Sequence, residues 1–397
     1  MQPIPQSVAE KTIFSQLSIP YFYALFKQKK GIMKKGMTTI YDIARTLGIS
    51  ASTVSRALRN HPDISQAMVE KIKSTAKKLN YRPNTIAQSL KERKTKVIGV
   101  VIPEILNHFY MSVLSGIEDI VFRKGYQVMV CKSGENYQRE VLNTESLSGQ
   151  VDGILACVSQ ETRKYEHFKD VKKHNIPLVF FDRAAERISS SKVMMNDEAI
   201  VYTLTEHLIK SGYQNIVLIT GPDHLGFCKN QIKGYTNALL HHGFKLKETS
   251  ILSEGLDFQK GSASFQKAMR LEPAPDALIA ANDPIAMAIY LEAQKANIQL
   301  GSKLGLASAG SDPVFGLLNP SVTNLQSKGF EMGGRAAQLC IHEIEKQGNI
   351  LKTEKEMLSG DLVIRQSSTK TGSGLVVSSY SKYLNQKEGG DPLVYIY

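Results

Sequence analysis

The chain holds no Trp and only four Cys in 397 residues. Those cysteines, Cys131, Cys157, Cys228 and Cys340, are scattered, and no two lie at the spacing of a metal or redox pair. Isolated cysteines fit a reducing compartment, here the cytoplasm, and pack as small hydrophobes. No apolar run suits a bilayer span. The nearest, Ile13 to Phe26, is short and is interrupted by Ser15, Gln16, Ser18 and Pro20. Its positive charges, Lys27, Lys29 and Lys30, follow the apolar run, the reverse of a secretion signal. Enzymatic fingerprints are lacking as well: there is no Walker loop, G-x-S-x-G, H-E-x-x-H or dinucleotide motif. The nine His form no metal-spaced set, and the adjacent His241 and His242 are poorly placed for one ion. No metal, cofactor or catalytic residue is therefore expected, and no membrane partner.

Acid is scarce in one stretch. Between Lys34 and Lys96 stand fourteen Lys and Arg against four Asp and Glu, in a chain whose net charge is +12. Nearly the whole excess sits in about a sixth of the sequence. Such a stretch suits a polyanion, although charge alone fits a solvated basic face equally well.

The same stretch has helical pattern. Thr39 caps a first helix, with Asp42 completing a capping box, and Ile40, Ile43, Ala44 and Leu47 follow at helical spacing. Gly48 supplies the turn. Ser50 then caps a second helix that turns Val54, Ala57 and Leu58 inward. A third stripe, Ile64, Met68, Ile72, Ala76 and Leu79, closes a small core. Two short helices joined by a glycine turn form a helix-turn-helix unit, in which the start of the second helix meets base edges. Ala51, Ser52, Thr53, Ser55 and Arg56 lie on that start and outer face. Arg56 suits a bidentate contact to guanine; Thr53 and Ser55 suit phosphate.

From Val97 to about Gln366, apolar runs of strand length alternate with amphipathic helical stretches. The strand candidates are Val97 to Ile102, Tyr126 to Cys131, Val151 to Cys157, Ile176 to Asp182, Asn215 to Thr220, Ala277 to Ala281 and Leu304 to Gly310. Continuous apolar runs imply strands covered on both faces, hence parallel βα units in two α/β lobes. Ligands bind outside the carboxyl ends of such strands. There the sequence places Asn107, Phe109 and Tyr110, then Arg183, Phe227 and Asp283. Polar groups beside an aromatic platform suit a sugar or base-like ligand. Asp283 after Asn282 also suits a helix cap at Pro284.

The run TTIYDIARTLGISASTVSRAL, a basic helix, and then LNYRPNTIAQSL together resemble the DNA-binding head of the lactose-repressor/galactose-repressor family, and the resemblance continues to about Gln366. It implies a small all-α helix-turn-helix head (37–82), a hinge helix and linker (83–96), and a two-lobed α/β body like a periplasmic binding protein (97–366). By that resemblance Ala51, Ser52 and Arg56 read the major groove. Thr39 lies at the same face, and Tyr41, Thr53, Ser55, Tyr81 and Asn84 hold phosphates. Ala87 faces the minor groove and Leu90 wedges a base step. A homodimer would grip a pseudo-palindromic operator, and a small effector between the lobes would control it. Two positions depart from the family pattern: Gln231 stands where sugar and purine sensors carry Arg, and Gly310 where they often carry an acid. Lys229 is a substitute cation or a surface lysine. Residues 1–36 read as a poorly ordered extension, or as an over-long start with Met33 or Met37 as initiator. Residues 367–397, rich in Ser, Gly, Lys and Tyr, read as a mobile tail.

Overall fold

The computed structural model describes residues 38–82, 94–326, 328–346 and 352–370. The chain divides into two compact units between Glu92 and Arg93.

The first unit is all-helical: α1 (Ile40–Leu47), α2 (Ala51–Leu58) and α3 (Gln66–Lys78). The Asp42 carboxylate accepts from the backbone N and Oγ1 of Thr39, at 2.9 and 2.7 Å. Gly48 ends α1 at φ 66°, a left-handed turn that costs a glycine nothing. Ser50 Oγ accepts from the Thr53 amide and starts α2. Every apolar position expected to point inward joins one cluster around Ile43, Val54, Ala57 and Ile72, and Val69 joins it too. Each fully buried aliphatic side chain contributes about 1.5–3 kcal/mol relative to exposure.

The second unit carries two six-stranded sheets. Lobe one starts with β1 (Val97–Ile102), α4 (His108–Arg123), β2 (Gln127–Lys132), α5 (Tyr137–Ser148), β3 (Gly153–Ala156), α6 (Glu166–Lys173), β4 (Leu178–Phe181) and β5 (Ser191–Met195). Lobe two follows with α7 (Asp197–Lys210), β6 (Ile216–Thr220), α8 (Gly226–His241), β7 (Ile251–Ser253), α9 (Phe258–Ala268), β8 (Ala277–Ala280), α10 (Asp283–Lys295), β9 (Gly305–Ser308) and β10 (Thr323–Gln326). The chain then returns to lobe one for α11 (Gly329–Glu345) and β11 (Lys355–Leu358), and ends β12 (Asp361–Val363) on lobe two. Strand orders are β11-β5-β4-β3-β1-β2 and β12-β10-β9-β8-β6-β7. All pairings are parallel except β10 with β12.

Helices cover the sheets at close range. A Cβ on Gly116 of α4 would lie 2.0 Å from the Phe330 carbonyl oxygen, and one on Gly333 of α11 would lie 1.9 Å from that of Val113. These helices therefore meet backbone to backbone.

Several expectations need correction. The run Tyr126 to Cys131 was expected to be covered on both faces. As β2 it is a sheet edge, with Met129 and Val130 37% and 40% exposed. Five strands, β5, β7, β10, β11 and β12, carry no apolar run long enough to mark them. The linker ends earlier than 96: Thr95 N and Oγ1 and Lys96 N all donate to the Asp152 carboxylate. The supposed tail from 367 begins with a buried clasp. Ser367 Oγ donates to Leu306 O and accepts from Thr323 N, and Ser368 Oγ pairs with Thr323 Oγ1. Asn84, Ala87 and Leu90 lie outside the described residues, as do 1–36 and the chain beyond Lys370.

Candidate DNA-reading face and effector cleft

On the helical unit, Tyr41, Ser52 and Arg56 are exposed together with Thr39, while Ala51, Thr53, Ser55 and Tyr81 are half-buried. Arg56 and Ser52 thus present donors on the outer face of α2, and Tyr41, 67% exposed, presents its ring from α1. Two details were hidden in the sequence. Arg56 Nη1 lies 3.9 Å from Asp63 Oδ2, so a carboxylate from the α2–α3 loop steadies the guanidinium. Ser52 and Thr53 hydroxyls lie 2.7 and 2.8 Å from Ser50 Oγ, so the cap network orients both. Ser55 faces a groove that it shares with Arg59, Lys73 and Lys77, which suits phosphate rather than a base edge. Tyr81 packs against the small core, and burial raises its pKa.

In the second unit, all seven residues expected at the ligand line one cavity of about 100 Å³: Asn107, Phe109, Tyr110, Arg183, Phe227, Gln231 and Asp283. The cavity lies at the carboxyl ends of strands from both lobes, and a wider mouth of about 770 Å³ shares Asn107, Tyr110, Arg183 and Asp283 with it. Asn107 caps α4 by accepting from the Phe109 amide, which presents the aromatic pair Phe109 and Tyr110 to the cavity.

Two further acids line the cavity, Asp182 and Asp197. Tyr110 Oη donates to Asp182 Oδ2 at 2.8 Å, and burial holds this phenol well above its ordinary pKa. Burial also raises Asp182, and it raises Asp197 well above the carboxylate range, helped by the charge of Asp182. Arg183 Nη1 donates to both Glu135 oxygens at 2.9 Å. Burial is the largest influence and opposes the guanidinium charge, but Glu135, Tyr110, Cys157 and Asp182 together outweigh it, and Arg183 stays protonated. Its guanidinium also sits 5.1 Å from the Phe227 ring centre, across the two lobes. A second interlobe contact joins His224 Nε2 to Gln160 O at 2.8 Å.

The two unusual positions have structural explanations. Gln231 is buried and engaged at both ends of its amide: its Oε1 accepts from Thr220 Oγ1 at 2.7 Å and its Nε2 donates to Ala281 O at 3.2 Å. It ties α8 to the ends of β6 and β8. A Cβ at Gly310 would lie 1.9 Å from Asp283 Oδ1, so any side chain there displaces Asp283. Asn282, not Asp283, caps α10 by accepting from Ile285 N. Asp283 instead accepts from Asp312 N, and burial raises its pKa to about 6. Among the described residues no group of side chains is arranged to hold a metal ion, and no helix is long and apolar enough to cross a membrane.

A helix-turn-helix unit joined in one chain to a two-lobed ligand cleft defines a ligand-controlled, DNA-binding transcriptional regulator. The comparisons with known proteins narrow the class. Residues 39–84 match the family "Bacterial regulatory proteins, lacI family", and residues 95–354 match "Periplasmic binding proteins and sugar binding domain of LacI family". The chain belongs to the lacI family of transcriptional regulators. It is 28% identical over 312 residues to catabolite control protein A of Priestia megaterium, covering 78% of this chain and 93% of that one. It is 30% identical over 316 residues to the probable HTH-type transcriptional regulator EndR of Paenibacillus polymyxa, covering 78% and 92%. The fold matches the lac repressor dimer bound to operator and the anti-inducer ONPF with a TM-score of 0.73 at 20% identity, covering 84% of this chain and 99% of that one.

Proposed function

We propose that this regulator is a homodimeric, cytoplasmic repressor whose grip on a pseudo-palindromic operator is set by a polyhydroxylated metabolite in the interlobe cleft. The observation that carries the effector half is the convergence of Asn107, Phe109, Tyr110, Arg183, Phe227, Gln231 and Asp283 on one cavity, together with Asp182 and Asp197. Carboxylates and an amide beside an aromatic pair suit paired hydroxyls stacked on a ring face. The exposed Arg56 and Ser52 support base reading, with Tyr41, Thr53, Ser55 and Tyr81 for the backbone. Asn84, Ala87 and Leu90 would extend the contact beyond the helical unit, as the family resemblance implies. The lac repressor structure is a dimer on operator, and the same assembly is proposed here.

Control requires an effector with unequal affinity for two lobe arrangements. The His224–Gln160 and Arg183–Phe227 contacts are the groups that such a ligand would strengthen or break. The test is selection of duplexes from a random pool at fixed physiological salt, with and without candidate sugars. A recovered palindrome whose retention changes with one sugar is expected. Retention that depends on salt but on neither sequence nor ligand would sink the proposal.

A further inference from the structure

A second cavity adjoins the effector cavity. It encloses about 340 Å³ and shares Arg183 and Phe227 with it as a common wall. Its other charged lining residues are Arg163, Arg187 and Lys229, opposed by Glu186 alone. Arg183 is already neutralised by Glu135. Arg163, Arg187 and Lys229 make no ion pair among the described residues. Three cations facing a single acid leave the concavity with an excess of positive charge, which an anion between them relieves.

The site is built rather than incidental. Arg163 projects from the loop after β3, and Thr162 beside it is anchored by its Oγ1 donating to the fully buried Glu140 at 2.8 Å. The same carboxylate accepts from Ser159 N and pairs with His167 Nε2 of α6 at 2.9 Å, so two bonds hold the loop and a third ties it to the next helix. Arg187 and Tyr165 line the cavity together; burial raises the pKa of the Tyr165 phenol and the charge of Arg187 lowers it. Lys229 stands in the first turn of the 16-residue α8. Glu186 Oε1 reaches within 3.6 Å of where a Cβ on Gly226 would lie, at the start of that helix. An acid of this chain thus occupies the ground an anion would take; Glu186 is 60% exposed and, among the described residues, is held only by a 3.8 Å contact from its Oε2 to Lys192 Nζ.

We propose that this cavity is an anion subsite, and that the effector is a phosphorylated metabolite whose hydroxyls enter the acid-lined cavity and whose phosphate is held by Arg163, Arg187 and Lys229. The ligand class rests on the effector reading above; the subsite itself does not.

The test uses the full chain and inorganic phosphate, titrated against chloride at constant ionic strength and read by the melting temperature. Three proteins are compared: the unaltered chain, the R163Q/R187Q/K229Q variant and E186Q. All four positions are exposed, and circular dichroism checks that the variants fold. A saturable rise in melting temperature is expected, weakened about tenfold or more in the triple variant and tightened in E186Q. A response identical in all three proteins places the phosphate elsewhere, on the DNA-binding head for example, and overturns the subsite. A second arm compares hexose phosphates, hexuronates and the parent hexoses for release of operator. Preference for the phosphates, lost in the triple variant, is expected. Preference for hexuronates overturns the phosphate assignment. Equal action of neutral hexoses overturns the anionic class and leaves the effector reading standing. No action by any sugar, with a phosphate response that the triple variant abolishes, overturns the effector reading and keeps the subsite.

Discussion

Arg56 is the side chain on which sequence preference turns. It is exposed on α2 yet steadied by Asp63, which lowers the entropy lost when it meets a base. Arg56→Ala is expected to cost about 1–3 kcal/mol of operator discrimination while leaving salt-sensitive binding to unrelated duplex. Competition binding with operator and scrambled DNA checks this, and an unchanged ratio removes Arg56 from the reading set. Two buried residues set opposing pH dependences. Burial lowers the pKa of His207 to about 4, and its Nε2 pairs with Ser368 Oγ at 2.6 Å. The unfolded chain takes up that proton near pH 6.5, so stability falls as pH drops from about 6.5 to 4. Asp283, raised to about 6, does the reverse: the folded state holds the extra proton, and stability falls as pH rises from about 4 to 6. Each effect is roughly 3 kcal/mol, so the two largely cancel near pH 5. His207→Gln is expected to leave a stability that declines from pH 4 to 6, and Asp283→Asn one that rises. Urea melts at half-unit pH steps distinguish them; parallel curves for the two variants would show that neither proton is linked to folding.

At the scale of elements, packing of α4 on α11 is the most constrained contact. Gly116→Ala forces a carbon into the Phe330 carbonyl, and the helices must separate along their length. A loss of about 1–3 kcal/mol or more is expected by thermal melting, whereas Gly149→Ala, where a Cβ meets nothing, is expected to be nearly neutral. Elements buried on both faces were the ones readable from sequence. The strands β1, β3, β4, β6, β8 and β9 are apolar runs because helices cover both sides of the sheet. Strands such as SKVMM at Ser191–Met195 and TNLQ at Thr323–Gln326 were not readable: they are short, and their burial comes from neighbouring strands rather than from their own composition. The same cause hid part of the site. Six of the seven expected lining residues follow strands or stand in the first turn of helices, while Gln231, in the second turn of α8, was reached only through the family resemblance. Asp197 follows the unmarked β5, and Arg163 and Arg187 sit on loops whose approach to α8 depends on how the lobes pack.

At the scale of the whole molecule, ligand and operator must act on each other equally if they share one two-state equilibrium. Whatever factor the effector imposes on operator affinity, operator is expected to impose on effector affinity. Calorimetry of the effector with and without saturating operator measures that factor. Unequal factors would mean that more than two states are populated. The path of the chain carries a further consequence. It leaves lobe one after β5, completes most of lobe two, and comes back to supply α11 and β11. During synthesis, then, the first hundred residues of the body emerge from the ribosome with one sheet edge open and one helix layer absent, and they wait for some 130 more before the missing pieces arrive. A growing chain of this kind exposes apolar surface for seconds, at the usual ~5–20 residues per second, so chaperone capture and stalling between Asn196 and Lys328 are expected to bear on its yield in the cell.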